Sequence, residues 1–395
     1  MISELNQPAR IASLECGLVK IPCLLEVFVS KLGAARMNFT AHLPGSRLGA
    51  FCFLFSPAIL LAVTLVQKNP PVRSADAPVL IWDIDLTLAS NLPRNFRTTD
   101  DPLKASDDKT PSITGLVELH ASGSGEFTAD NLKLLLTRMH GPVTIFDLRK
   151  ETHIFVNGLP VSWFATRDWA NVGRSEAEIE EAEAVWAQSL GPGSEIAVRP
   201  GKPVKKGDGD SAVAQQVIVK EASIERDLVS SAGISYVRVA VTDHTRPLDD
   251  AVDLFIVAVR GLPENAWAHF HCEAGLGRTT TFMVLYDMLR NATRVSLEDI
   301  VRRQKLLGYD YDVLRLVGPG NWKAPYVEDR IAFVRVFYNY ARANPNGRPQ
   351  LWSEWLKAGG GELQNVRVPL LSSPARDSPK ALKMTASEFT ARAGF

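Results

Sequence analysis

The sequence predicts an α/β fold, a mostly parallel sheet flanked by helices. Three observations point there. Val143-Thr144-Ile145-Phe146, the run from Tyr236 to Val241, and Trp267 to His271 are short segments that read as strands. Val252, Phe255, Ile256 and Val259 recur at helical spacing, and Phe282, Met283, Leu285, Tyr286 and Leu289 form a second stripe. Strands and helical stripes alternate along the chain, which is the pattern of βαβ units.

Taken in order, the chain opens with an unusual leader. Leu48 to Val66 is a run of 19 uncharged residues, preceded by Arg47 and followed by Lys68. It is long enough to span a bilayer. It also reads as a secretory apolar region followed by Ala75-Asp76-Ala77, a small-residue cleavage pattern, with Met37 as a plausible start. Export is the favoured expectation and a retained membrane anchor the alternative. A buried core helix fits less well, because Pro57 interrupts the run and Pro70-Pro71 follow it. Residues 1–77 are therefore set apart as a leader. The body is expected over 78–358, with Gly191 to Asp210 as a Gly/Lys/Pro-rich surface excursion. Residues 359–395, rich in Ser, Pro and Ala, form an expected loosely held tail.

Composition narrows the class. The 395 residues are 46% apolar and 22% charged, ordinary for a soluble globular protein. With 44 basic and 44 acidic residues there is no case for nucleic acid or for bulk attraction to anionic membranes. Of four cysteines, Cys16, Cys23 and Cys52 lie in the leader, leaving Cys272 alone in the body. That excludes a disulfide framework there.

The richest segment is His271-Cys272-Glu273-Ala274-Gly275-Leu276-Gly277-Arg278-Thr279-Thr280. A strand ending at Cys272 and a helix starting near Thr279 would frame a tight loop. In such a loop successive backbone N–H groups form an anion nest, and the helix N-terminus adds its positive end. Gly275 and Gly277 permit the backbone angles, and the Arg278 fork can grip two phosphate oxygens. This environment favours an anionic sulfur and makes Cys272 a candidate nucleophile. Thr279 is placed to donate to the sulfur, and His271 to hydrogen-bond the loop. A C-x₅-R spacing alone arises by chance; the full string at a strand-to-helix transition is specific. Ester cleavage also needs a proton for the leaving alkoxide, and Asp243, 29 residues earlier, follows a strand and precedes a helix. A lone Asp in such a turn is ordinarily a helix cap.

The loop resembles the signature of cysteine-dependent phosphatases of the protein tyrosine phosphatase superfamily. In its His-Cys-Glu-Ala-Gly form it is similar to the tyrosine-phosphatase-like inositol phosphatases, the bacterial cysteine phytases. The resemblance extends over residues 80–357. Leu92-Pro93-Arg94-Asn95-Phe96-Arg97, Asp147 to His153, Val161 to Phe164, Arg167-Asp168-Trp169-Ala170-Asn171 and Thr242 to Pro247 look like family blocks. Gln304, Trp322-Lys323 and Arg330 match its C-terminal helical region.

The resemblance implies the tyrosine-phosphatase sheet with a small β-barrel-like accessory region, drawn from residues near 78–120 and 150–215. It implies removal of phosphates from inositol polyphosphates through a cysteinyl-phosphate, with no metal or cofactor required. Cys272 is then the nucleophile, Arg278 and the Glu273–Gly277 loop hold the phosphoryl oxygens, and Asp243 is acid and then base. A bell-shaped pH–rate profile on the acidic side of neutral is expected. Arg97, His244, Lys323 and Arg330 become candidate substrate contacts, Arg330 where relatives carry Lys. Lys202, Lys205 and Lys206 could add to them, although each alone reads as a surface cation. Glu151 and Asp168 are candidates for orienting Arg278 or contacting substrate hydroxyls, with a structural ion pair the other reading. Rival functions are a tyrosine, dual-specificity or phosphoinositide phosphatase, a non-catalytic phosphate-binding module, and a redox sensor. The last lacks a resolving cysteine in the body.

Overall fold

The computed structural model describes residues 79–86, 91–106, 109–201 and 213–363. They fall within one compact unit, Pro70–Phe395. The leader with its 48–66 run, the cations Lys202, Lys205 and Lys206, and the tail from 364 lie outside the described residues.

The central sheet has five strands in the order β10-β4-β11-β3-β2. β3 is Ala121–Ser124, β4 Val143–Arg149, β10 Ser235–Val241 and β11 Trp267–His271. These four run parallel. The two-residue β2, Arg97–Thr98, pairs antiparallel with β3 at the edge. The three expected strands are thus neighbours, and β11 has the limits read from the sequence.

Alternation along each strand separates the two faces. Ala121, Phe146, Leu148, Val239, Val241, Ala268, Phe270 and Cys272 share one core with the helical layer. That layer contains α4 (Asp249–Gly261), α5 (Gly277–Asn291), α6 (Leu297–Leu307), α7 (Ala324–Ala343) and α8 (Trp352–Lys357). The α4 stripe Val252, Phe255, Ile256 and Val259 is wholly buried. Helix α5 carries more than a stripe, being buried on nearly all sides. Residues such as Thr280, Thr281 and Asp287, off the apolar stripe, are thereby inside. On the opposite face, Ile145 and Trp267 pack with Leu132 and Leu135 of α1 (Ala129–Leu136) and Val229 of α3 (Glu225–Ser231).

The accessory region is an antiparallel sheet β1-β6-β5-β9 beside a β7-β8 hairpin. Its strands are β1 Val79–Trp82, β5 His153–Val156, β6 Leu159–Phe164, β7 Glu195–Val198, β8 Gln215–Ile218 and β9 Ala222–Ser223. The two ladders are bridged at two places. Trp82 N–H donates to the Arg199 carbonyl at 2.9 Å, and Lys220 N–H to Asn157 Oδ1 at 2.7 Å. Helix α2, Glu176–Ser189, closes their core with Trp186 and Ala187. The described residues thus form two short sheets joined by bridges where a small β-barrel-like region was expected. Arg97–Thr98 joins the central sheet's edge instead, and Leu116 and Leu119 pack into that sheet's core. The Gly-rich excursion is also more ordered than expected at its start, since Glu195–Val198 is strand β7.

Candidate active site

The strand-to-helix transition falls close to its expected place. β11 ends at His271 and α5 begins at Gly277, so residues 272–276 form the loop. Gly275 stands at φ 72°, in the left-handed region that its missing side chain makes accessible.

Three successive carbonyls of this loop are engaged from outside. Glu273 O accepts from Arg94 Nη2 at 2.8 Å and from Glu126 N at 3.0 Å. Ala274 O accepts from Asn95 Nδ2 at 2.8 Å, and Gly275 O from Arg97 Nη1 at 2.8 Å. In a trans peptide the N–H points opposite to the carbonyl. Three outward carbonyls therefore turn the N–H groups of Ala274, Gly275 and Leu276 into the loop's concavity. This is an anion nest at the mouth of a helix.

The thiol lies beneath it. Cys272 is buried, and Thr279 Oγ1 donates to its sulfur at 3.2 Å. Arg278 is held by Glu151 in a two-point pair, Nη1 to Oε2 at 2.7 Å and Nη2 to Oε1 at 2.6 Å. Nη1 also donates to Val241 O at 3.1 Å. Burial works against the guanidinium charge, but Glu151, with Asp243 and Cys272, outweighs it and holds the Arg278 pKa well above its ordinary value. Nε of Arg278 is buried without a protein partner among the described residues. Asp243 Oδ1 lies 3.4 Å from Arg278 Nη2. Its Oδ2 lies 2.9 Å from His244 Nε2, and its backbone carbonyl accepts from Trp169 Nε1 at 3.0 Å. His244 itself has φ 67°, in the left-handed region. Cys272, Arg278, Thr279, Asp243 and His244 are thus brought together.

Two candidate substrate contacts face elsewhere. Arg97 is buried behind the loop, where it bonds Gly275 O, Asn95 O and, at 2.9 Å, Thr280 Oγ1. Burial pulls its pKa down to about 10. It braces the loop from outside and does not line the concavity. Glu151 uses both oxygens on Arg278 and is itself buried, so it orients that cation and faces no hydroxyl. Asp168 is buried too, at φ 59°.

Lys323 and Arg330 each approach the site through one aromatic ring. Lys323 Nζ stands 5.3 Å from the Trp322 ring, whose edge meets His244 at 5.2 Å. Arg330 is buried, donates to Val313 O at 3.3 Å and lies 5.9 Å from the Tyr311 ring. The Tyr311 hydroxyl lies 3.3 Å from where a Cβ on Gly277 would be. Sequence reading passed over Tyr311, Arg94 and Asn95. The Leu-Pro-Arg-Asn-Phe-Arg block drew attention only to Arg97, although Asn95, at φ 58°, is the residue that aims an amide at the loop.

His271 points away from the loop, correcting the expected hydrogen bond. Its Nε2 lies 2.8 Å from Glu225 Oε1 on the far face of the sheet. Burial opposes its charge, but Glu225 and Glu126 outweigh it and hold its pKa up to about 9. Around it are Asp147, His153, Arg149, Arg238 and Glu183, all buried. The groupings Glu126–His153–Glu225 and Asp147–Glu225–His271 have metal-compatible spacing. Arg149 pairs with Glu126, and Arg238 lies 3.4 Å from Asp147, so arginines already neutralise two of the three carboxylates, while Glu225 faces the two histidines. Gln304 donates to Asp287 at 2.9 Å and is internal scaffolding.

A parallel sheet with an anion nest, a buried thiol and an anchored guanidinium at the carboxyl end of a central strand defines a class of phosphate-handling α/β protein. Known proteins with similar sequences and structures narrow it. A family model of PTP-like phytases, described as inositol hexakisphosphate, matches residues 146–290. A PTP-like phytase of Bdellovibrio bacteriovorus superposes with TM-score 0.56 at 40% identity, over 71% of this chain and 95% of that one. A PTP-like myo-inositol phosphatase of Mitsuokella multacida, solved with myo-inositol-(1,3,4,5)-tetrakisphosphate, gives TM-score 0.63 at 34% identity, over 71% of this chain and 49% of that one. The effector protein hopD2 of Pseudomonas syringae pv. tomato is 34% identical over 74% of this chain and 63% of its own length. The chain thus spans about half the Mitsuokella protein and less than two thirds of the Pseudomonas one. It belongs to the PTP-like phytase family.

Proposed function

We propose that the protein hydrolyses phosphomonoesters of myo-inositol polyphosphates through a cysteinyl-phosphate. The observation that carries this reading is the loop whose inward N–H groups surround a buried thiol, with Arg278 anchored beside it and Asp243 opposite. Cys272 attacks phosphorus as a sulfur–phosphorus bond forms and the ester bond breaks. Asp243 gives its proton to the leaving alkoxide. The loop N–H groups and Arg278 hold the equatorial oxygens as charge redistributes. Water then attacks the cysteinyl-phosphate, Asp243 takes its proton, and the thiolate leaves with Thr279 donating to it. Glu151 and Arg97 position Arg278 and the loop. His244, Lys323 and Arg330 serve the remaining phosphates, and Asp168 orients neighbouring cations. Family membership and similarity to a protein solved with an inositol tetrakisphosphate support the substrate class.

The reading places the catalytic body at residues 78–358 and export ahead of it, on the strength of the 48–66 run and the Ala75-Asp76-Ala77 site. N-terminal sequencing of the protein recovered outside the producing cell tests that part; an uncleaved leader on membranes would favour the anchor. For the chemistry, the purified protein and Cys272→Ser are incubated with inositol hexakisphosphate and with a phosphotyrosine peptide. Phosphate release from the peptide alone overturns the substrate reading. Release persisting in Cys272→Ser overturns the mechanism.

A further inference from the structure

The turn Thr166–Asp168 holds two consecutive side-chain-bearing residues in the left-handed region, Arg167 at φ 64° and Asp168 at φ 59°. Such residues stay there only where their surroundings enforce it, and they concentrate at functional sites. The turn sends the Asp168 side chain inward and leaves Arg167 exposed. The Arg167 guanidinium then lies 4.3 Å from the Trp322 ring centroid and 5.1 Å from that of Trp169. Ring contacts engage a guanidinium through its flat faces and leave its N–H edge open to an anion. Lys323 Nζ meets the same Trp322 ring at 5.3 Å. Among the described residues, neither Arg167 nor Lys323 is paired with a carboxylate. Trp169 and Trp322 also touch the acid loop, through the Asp243 carbonyl and the His244 ring. Among the described residues, two cations without carboxylate partners therefore stand around one indole, whose ring meets His244 next to the candidate general acid.

We propose that Arg167 is a specificity-determining residue that, with Lys323, grips a phosphate neighbouring the one being cleaved. Trp322 spaces the two cations and walls the site. The inference rests on the proposed inositol polyphosphate activity. A monophosphate ester has no group to place there, so Arg167 selects for substrates with a second phosphate beside the first.

The test compares Arg167→Ala and Arg167→Lys in the full chain, with inositol hexakisphosphate and p-nitrophenyl phosphate as substrates. The loss in kcat/KM on the hexakisphosphate is expected to exceed that on p-nitrophenyl phosphate by about tenfold, the scale of one charge-assisted hydrogen bond. It should fall mainly on KM, with Arg167→Lys recovering part of it and the pH profile keeping its shape. Binding of the hexakisphosphate to Cys272→Ser with and without Arg167→Ala should show the same ratio. Equal losses on both substrates would mean that Arg167 only props the acid loop through Trp169, and would overturn the proposal alone. Failure of the wild type to release phosphate from the hexakisphosphate while it cleaves p-nitrophenyl phosphate would overturn the substrate reading, and this ligand with it.

Discussion

Replacing Gly275 by alanine tests the loop architecture directly. The new Cβ would stand 2.3 Å from the Gly125 nitrogen and 2.4 Å from the Ser124 carbonyl carbon. Comfortable non-bonded contacts are about 3.5–4.0 Å, so two backbone segments must part by more than about 1 Å. Neither is the end of a flexible side chain, so neither can swing aside. The φ of 72° adds left-handed strain of about 1 kcal/mol for a residue with a Cβ. Overpacking of this kind costs about 1–3 kcal/mol more. A combined loss near 3 kcal/mol lowers the thermal midpoint by roughly 6–12 °C for a body of this size. The larger effect is on rate. Moving the loop breaks the bonds from Arg97 and Asn95 that turn its N–H groups inward, and a misplacement of about 1 Å costs on the order of 100-fold. Gly277→Ala is the internal control. Its Cβ meets only the Tyr311 hydroxyl at 3.3 Å and ring carbon at 3.8 Å, in the first turn of a helix. A loss within about fivefold is expected there, the scale of a perturbation of about 1 kcal/mol. The assay is steady-state kcat/KM on an inositol polyphosphate, with circular dichroism to confirm folding. Equal losses in the two variants, or a Gly275→Ala enzyme within fivefold of wild type, would refute the reasoning.

Further outcomes follow from the same geometry. Glu151→Gln leaves Arg278 buried with Asp243, at 3.4 Å, as its remaining carboxylate, so a loss of about 3 kcal/mol in stability is expected by denaturant titration; an unchanged midpoint would contradict the anchoring role. Thr279→Val removes the donor to Cys272 and should slow cysteinyl-phosphate breakdown about tenfold, read as a pre-steady-state burst that the wild type lacks. No burst, with kcat unchanged, would argue against it. His271 has a folded pKa raised to about 9 from an ordinary 6.5, so its stabilisation is complete below pH 6.5 and is lost as pH rises through about 9. Burial pushes Glu225 up to about 8, which also costs stability as pH rises. The urea midpoint should therefore fall between pH 6.5 and 9.5, and His271→Asn should flatten the slope. A flat wild-type profile would refute it.

The central sheet was legible because its signals are local. Trp267 to His271 is a short run ending at a glycine loop, and β11 occupies those residues. Asp243 and Cys272 could be paired because each follows a strand of one parallel sheet, which brings strand ends together. What sequence does not display is direction. Arg97 reads as a free cation, but its place on the two-residue strand β2 against β3 sends it behind the loop. Glu195–Val198 was hidden by the Gly and Pro around it, and its pairing with β8 is non-local. Trp322 and Trp169 lie far apart in sequence and meet only through folding, so the setting of Arg167 left no local trace.

The polar far face of the sheet bears on why the thiol sits where it does. Along β11, Ala268, Phe270 and then Cys272 enter the apolar core, while His269 and His271 face the other way. On β4, Phe146 and Leu148 share that core, and Asp147 and Arg149 enter the ionic layer. A slip of one residue would put charged or imidazole groups among Phe255, Phe282 and Met283 and strand apolar side chains among carboxylates. Side-chain period makes such a slip exchange the faces completely. Buried ion networks are weak sources of net stability but can specify a unique arrangement. Here the ionic layer penalises the one-residue slips that would turn Cys272 away from the mouth of α5, with Gly275 following at the position the nest requires.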